Sequence, residues 1–294
     1  MKSLVGVDWG TSSLRVARID AGGHVLEERS SAQGILSVAS GGFPQVLEQA
    51  CGDWLQAGAL CLVSGMAGSR QGWQEAPYCP CPAGFTELAR SLTWITPRHI
   101  ALVPGLSCEH LGIPDVMRGE EVQVFGALSL LDVRDGLFVL PGTHSKWVGV
   151  RDGAVQEFAT CMTGELYALL RQHSILARTL PPEDGPLDEA AFSRGVDHAQ
   201  QGHSLLQTAF STRTLALFGL MDPAAQPSYL SGLVIGEELR AQREAGVPVV
   251  LIGSAALTQR YAIALRTLGS TTRSLGSEAT WRGLWALAQC LEPT

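Results

Sequence analysis

The chain has 294 residues, 46% of them hydrophobic and 17% charged, enough for one large domain or two ordinary ones with real cores. Its net charge of −7 and pI near 5.5 exclude the basic footprint of a nucleic-acid binder or a polybasic membrane anchor, so an anionic partner has to be held by local Arg and Lys groups or a metal. No apolar run reaches the roughly 18 residues of a membrane span, and the N-terminus runs directly into a strand pattern, which makes cytoplasmic residence the expectation.

In chain order, alternating apolar and polar residues predict strands over 4–8, 14–20 and 25–31, followed by a helix over "PQVLEQACGDWLQA", residues 44–57. Strands over 60–64 and 99–103 come next, then a helix over 120–131, "EEVQVFGALSLL". Three more strands, 136–140, 146–151 and 155–160, lead to a helix over 164–177 and a Pro-rich loop over 179–186. Helical periodicity then covers 187–199, 204–218 and 230–245. A strand over 248–252 and helices over 255–268 and 277–291 complete the chain. Strands alternating with helices indicate an α/β protein. The cysteines, Cys51, Cys61, Cys79, Cys81, Cys108, Cys161 and Cys290, lack a disulfide spacing and fit a reduced compartment. Cys79 and Cys81 in "CPCP" have no second Cys or His pair of the kind a structural zinc needs, and the stretch reads as a Pro-fixed loop.

One segment occurs twice. Shifted by 132 residues, "VDWGTSSLRVARID" falls on "VLPGTHSKWVGVRD", matching Gly10 with Gly142, Thr11 with Thr143, Ser13 with Ser145 and Val16 with Val148. Each copy follows a short apolar strand, leads into another and ends at a Gly-containing turn, which predicts two similar subdomains, each opening on an antiparallel meander. A Gly at such a turn lets backbone approach a ligand, and consecutive N–H groups with a Thr hydroxyl can donate to phosphate oxygens. Gly10, Thr11 and Ser12 form the first candidate phosphate loop, and Gly142, Thr143, His144, Ser145 and Lys146 the second. Asp8 is too anionic to face phosphate alone and is expected to orient a hydrated Mg²⁺.

A strand carrying Asp-x-Gly-Thr, a second Gly-Thr loop and the late strand-Gly-helix "VPVVLIGSAALTQRYAIAL" together resemble the sugar kinase, Hsp70 and actin superfamily. "SGMAGSRQGW", "DVMRGEEVQVFGAL", "LPGTHSKWV" and "MTGELYALLRQHSIL" narrow the resemblance to the 2-dehydro-3-deoxygalactonokinase family, over nearly the whole chain. The resemblance implies two α/β domains of ribonuclease H-like fold with an ATP cleft between them: residues 1–115, joined by a returning C-terminal helix over 277–294, and residues 116–276. Closure of such a cleft excludes water, the competing phosphoryl acceptor. It further implies ATP and Mg²⁺ as cofactors and phosphorylation of the C6 hydroxyl of 2-dehydro-3-deoxy-D-galactonate in galactonate catabolism, with Gly253 and Ser254 against the adenosine.

In related sugar kinases the base is an acid at a helix start about twenty residues before the second phosphate loop, and Glu120 stands 22 residues before Gly142. Glu121 and Asp115 are the other carboxylates of this segment, and Glu replaces the Asp usual in many sugar kinases. Glu in a first helical turn also has a purely structural use against the helix dipole. The acidic substrate needs a cation, supplied by Arg70 or Arg118. If Glu120 deprotonates C6, the C1 carboxylate lies at the far end of the substrate, which favours Arg70. Met66, Ala67 and Gly68 share the Arg70 loop, and Trp73 and Tyr78 can wall the sugar or belong to the core. Two alternatives stay open: a kinase for another sugar acid, such as the gluconate-derived epimer, and an ATP-driven switch of the Hsp70 and actin type. A homodimer is the usual assembly for such a chain.

Overall fold

Alternation at the N-terminus is realised as an antiparallel meander. In the computed structural model, which describes residues 3–56, 58–242 and 247–291, β1 (Ser3–Trp9), β2 (Leu14–Asp20) and β3 (Val25–Ser31) pair in sequence order. Val5, Val7 and Trp9, on one face of β1, are buried with Phe43 and Leu47 of α1 (Phe43–Leu55). On the other face Gly6 lies under Trp281 and Leu284; a Cβ there would stand 3.2 and 3.1 Å from their side chains. β4 (Leu60–Gly65) runs parallel to β1, setting Ser64 beside Asp8 and Gly65 beside Trp9.

Next come β5 (Tyr78–Pro80), α2 (Phe85–Arg90), β6 (Thr93–Thr96), β7 (Ile100–Leu102), β8 (Gly105–His110), β9 (Ile113–Met117) and α3 (Glu120–Leu131). The six-stranded sheet has the order β3-β2-β1-β4-β7-β6, and β5-β8-β9 form a small second sheet. The "CPCP" stretch is therefore not all loop: Tyr78–Pro80 pairs in parallel with Gly105–Ser107. Pro80, without an N–H, is tolerated because β5 is an edge strand.

The rest of the chain builds β10 (Gly136–Leu140), β11 (Ser145–Arg151), β12 (Ala154–Cys161), α4 (Thr163–His173), α5 (Glu189–Ala199), α6 (Leu205–Thr208), α7 (Ser211–Leu217), α8 (Gln226–Gln242), β13 (Val249–Ile252), α9 (Ala255–Thr267), β14 (Thr272–Leu275) and α10 (Glu278–Gln289). Its sheet order, β12-β11-β10-β13-β14, repeats the meander-then-parallel-strand order of β3-β2-β1-β4, so the duplicated turn marks a duplicated topology. Val139, Trp147, Phe192, Ile235, Leu251 and Tyr261 share the core around this sheet.

Several sequence expectations change. The helix over 204–218 is two, because Ser211 Oγ donates to Thr208 O at 2.6 Å and the amides of Thr212 and Arg213 reach back only three residues. α8 begins at Gln226, four positions before its predicted start, and is buried almost all round, which removes the amphipathic signal. The expected helices over 44–57 and 230–245 include Ala57 and residues 243–245, which lie outside the described residues.

By internal contacts the chain forms two units: Met1–Gly136 with Val148–Ala159 and Leu275–Thr294, and Leu137–Trp147 with Thr160–Ser274. The division falls after α3 rather than near residue 116. The reason is a glycine-to-backbone crossing: a Cβ on Gly126 would stand 1.7 Å from Ala279 O, and one on Gly283 would stand 1.9 Å from Val122 O, so α3 and α10 touch at their main chains. The Val148–Ala159 hairpin joins the first unit through Ala83 and Val155, which exchange N–H···O bonds of 3.0 and 2.9 Å.

Candidate active site

In the first unit the candidate residues gather where β1, β4 and the start of α3 meet. Gly65 has φ 94° and would bring a Cβ to 2.8 Å from Trp9 O, while a Cβ on Gly119, φ 105°, would stand 3.2 Å from the Gly65 Cα. Only glycines let these three main chains close up. Asp8 stands at the β1 end of this junction, its Oδ2 bound by Arg15. The turn after it is rigid. Gly10 N donates to Ser13 O, and the carbonyls of Gly10 and Thr11 accept from Ile35 N at 3.0 Å and Leu36 N at 3.3 Å. What the turn presents outward is therefore the exposed side chains of Thr11 and Ser12.

The two adjacent glutamates fold back over the N-terminus of α3. Glu120 Oε2 accepts from Arg118 N at 3.0 Å, and Glu121 Oε2 accepts from Gly119 N at 2.6 Å, the structural use that acids have at a helix start. Their environments differ. Glu120 is half-buried, whereas Glu121 is fully buried with Oε1 lacking a partner. Burial, reinforced by the Glu120 charge, pushes the Glu121 carboxyl up to about 8, so it holds its proton at neutral pH. Asp115 sits on β9 opposite Cys108, its Oδ1 accepting from Val116 N at 2.7 Å.

The two candidate arginines are placed in opposite ways. Arg70 is 87% exposed and pairs with Glu75 of its own loop at 3.6 Å. Arg118 is buried: its Nη2 donates to Ala76 O at 2.8 Å and its guanidinium lies 4.3 Å over the Tyr78 ring. Met66–Gly68 forms a tight turn directly after β4, with Ala67 O and Gly68 O accepting from Trp73 N and Ala76 N. Trp73 is no free wall: it stacks on Phe43 at 6.2 Å and meets Trp9 edge-on at 6.3 Å, because the turn folds it onto the core.

In the second unit the repeated turn lies against α4. A Cβ on Gly164 would stand 2.5 Å from Gly142 O, and Glu165 N donates to Thr143 O at 3.0 Å. The loop thus shares its place with a helix N-terminus, which adds amide donors and a positive dipole end. Thr143 and His144 are exposed, with His144 Nε2 bonded to Glu165. Ser145 and Lys146 are buried; Lys146 Nζ donates to Thr160 Oγ1 at 2.7 Å, so its cation belongs to the loop's supporting layer.

Beneath that layer lies Glu238 of α8, 5% exposed. It accepts from Trp147 Nε1 and Tyr261 OH, each at 2.6 Å, and from Thr163 Oγ1, which in turn meets Ser145 Oγ at 3.3 Å. Burial raises this carboxyl against the pull of those donors. Beside it opens a cavity of about 270 Å³ lined by Gly142, Thr163, Gly164, Asp184, Leu257 and Arg260 among others. Gly253 and Ser254 precede the lining residues Ala256 and Leu257 at the start of α9.

Glu238, Tyr261, Asp184 and Arg260 were not legible as site residues. Glu238 and Tyr261 read as ordinary positions of core helices and Asp184 as loop; only the "MTGELY" stretch signalled that α4 belongs with the second turn. Among the described residues no group of three or more His, Cys, Asp or Glu side chains could hold a metal, and no helix is long and apolar enough to cross a membrane.

Comparison with known proteins gives consistent results. The model of the 2-keto-3-deoxy-galactonokinase family matches residues 8–287. The 2-dehydro-3-deoxygalactonokinase of Escherichia coli (strain K12) is 33% identical over 98% of both chains. A "probable 2-dehydro-3-deoxygalactonokinase" of Rhizobium meliloti (strain 1021) is 38% identical over 98% of this chain and 97% of that one. A solved structure from Sinorhizobium meliloti, 36% identical, covers 99% of this chain and all of its own with a TM-score of 0.89.

Proposed function

The chain belongs to the 2-keto-3-deoxy-galactonokinase family, and we propose that it transfers the γ-phosphoryl group of ATP to the C6 hydroxyl of 2-dehydro-3-deoxy-D-galactonate, giving the 6-phosphate in galactonate breakdown. The carrying observation is the N-terminus of α3, where a half-buried carboxylate, Glu120, stands next to a buried, protonated one, Glu121. Transfer to an alcohol needs one group to take its proton. A carboxyl that already holds a proton at neutral pH is a poor acceptor, which favours Glu120 over Glu121 for that role. Glu121 contributes by fixing Gly119 N and with it the first turn of α3.

In the second unit the amides of Gly142–Ser145 and the N-terminus of α4 take the nucleotide phosphates, and the cavity beside them takes the adenosine, with Gly253 and Ser254 at its edge. The hydroxyls of Thr11 and Ser12 offer further phosphate donors in the first unit. For magnesium the fit is a single one: Arg15 holds Asp8 Oδ2, and Oδ1 remains to bind a metal-held water. One carboxylate suits an ion that arrives mostly coordinated by ATP oxygens and water. When bound, Mg²⁺ supplies charge neutralisation on those oxygens.

The test is an ADP-release assay with Mg-ATP on the galactonate-derived acid and its gluconate epimer, for the wild type and Glu120→Gln. Turnover of the galactonate acid, cut by about 100-fold or more in kcat in the variant, is the expected result. Preference for the epimer moves the substrate assignment. ADP release that neither acid raises above the acid-free rate overturns the reaction.

A further inference from the structure

Among the described candidates, Arg118 is a cation with too few partners. Its side chain is more than nine-tenths buried, yet its hydrogen bond goes to a backbone carbonyl, Ala76 O, and its buried Nε and Nη1 have no acceptor. The acids nearest in sequence are engaged with the backbone: Glu120 Oε2 accepts from Arg118 N and Glu121 Oε2 from Gly119 N, and burial holds the Glu121 carboxyl up although the Arg118 charge pulls it down. A guanidinium taken out of water without a counter-ion is costly, and a fold retains one where an anion completes it. Gly68 packs directly against the guanidinium: a Cβ there would stand 2.9 Å from Nη1, so only a residue without a side chain leaves that donor in place. Tyr78 holds the guanidinium plane from one face at 4.3 Å.

We infer that Arg118, through its unpartnered Nε and Nη1, binds the C1 carboxylate of the sugar acid, and that Arg70 does not. The inference rests on the kinase reading for the identity of the acid. The sequence objection, that Arg118 is only two residues from Glu120, dissolves in the structure. The long side chain seats its guanidinium on Ala76 O and the Tyr78 ring, while Glu120 is held at the Arg118 backbone N, so the two side chains have separate contacts and can serve different groups of one extended substrate. Arg70, exposed and already paired with Glu75, has neither the burial nor the missing partner.

Two measurements test this. In steady-state kinetics Arg118→Gln is expected to raise KM for the acid by about 30-fold or more, with KM for ATP little changed. For an analogue with a primary alcohol in place of the carboxylate, the same substitution should change KM by no more than about twofold. Gly68→Ala, which keeps the arginine but presses a methyl against Nη1, should move the same parameter in the same direction, and Arg118→Lys should fall between. The second measurement needs no turnover: pyruvate, which matches C1 to C3 of the substrate, should raise the Tm of the wild type but not of Arg118→Gln or Gly68→Ala. Equal losses for acid and alcohol, an undiminished pyruvate shift in Arg118→Gln, or the loss appearing in Arg70→Gln instead overturns the inference. A wild type that binds pyruvate through Arg118 but phosphorylates neither acid overturns the kinase reading alone.

Discussion

Replacing Glu121 by Gln should make the protein more stable, and increasingly so as pH rises. The native carboxyl holds its proton up to about 8 because burial, then the Glu120 charge, disfavour the anion. The unfolded chain releases that proton near the ordinary value of 4.5. Across this window the unfolded state binds fewer protons than the native state, so stability falls as pH rises, by at most about 1.4 kcal/mol per pH unit. The penalty is absent below the unfolded value and complete above the native one, where the full gap corresponds to roughly 5 kcal/mol. Reorganisation around the anion reduces this, which makes the figure an upper bound. Gln carries no such proton, and its oxygen can keep the bond from Gly119 N.

Urea unfolding of wild type and variant from about pH 5 to about pH 9 reads the difference directly. Tryptophan fluorescence is the right probe, since six of the seven tryptophans, all but Trp147, belong to the unit that contains Glu121. The two stability curves should lie close together at the acid end and diverge steadily toward the alkaline end. Parallel curves would show that Glu121 titrates alike in both states, and would remove the reason for preferring Glu120 as the proton acceptor.

Other consequences follow from single contacts. Gly126→Ala places a methyl 1.7 Å from Ala279 O, so the α3 and α10 backbones must separate; a loss of about 3 kcal/mol or more is expected in urea unfolding, while Gly185→Ala, with nothing within 4 Å of its new Cβ, should stay within about 0.5 kcal/mol. Gly164→Ala pushes α4 from Gly142 O, which its Cβ would approach to 2.5 Å, and should raise KM for ATP about tenfold with KM for the acid unchanged. Glu238→Gln offers one acceptor oxygen to donors from Trp147, Tyr261 and Thr163, leaving at least one buried donor unpaired; a loss of about 1–3 kcal/mol, with a higher KM for ATP, should appear in unfolding and in kinetics.

The sequence carried the parts of this molecule that depend on local order. Alternation and turn chemistry revealed the meanders, and the shift by 132 residues revealed the duplication before any strand pairing was known. Strands such as β6, β9 and β14 escaped because they are four or five residues long and partly exposed, too short for a period to register. In the site, the glutamate pair was visible as a motif, but its division of labour was not. Two neighbouring letters have the same chemistry until burial separates them. The same holds for the arginines: Arg70 sits in the more suggestive loop, yet exposure and Glu75 satisfy it, whereas Arg118 is singled out only by atoms that lack partners. Glu238 lies 75 residues from Thr163 and 91 from Trp147, and no local pattern encodes a contact of that range.

Duplication also explains why the two copies of one turn now differ. Both close on a glycine after a buried strand, and both keep the Thr that follows it, so the backbone solution is shared. What diverged is the support. The first copy carries Asp8 at the strand end and binds it with Arg15 from the return strand. The second has Leu140 where Asp8 stood and places Lys146 at the start of the return strand, buried and held by Thr160. An acid beside one loop and a base beside the other suit the different duties proposed for them, metal-held water in the first case and phosphate in the second. Exchanging them should fail in both directions. Asp8→Lys would set a second cation against Arg15, and Lys146→Asp would place an acid, buried, behind the loop proposed to receive phosphate. ATP binding by calorimetry should fall by about tenfold or more in Lys146→Asp. Retained affinity there would mean that the amides of the turn and of α4 suffice, and that the lysine is structural.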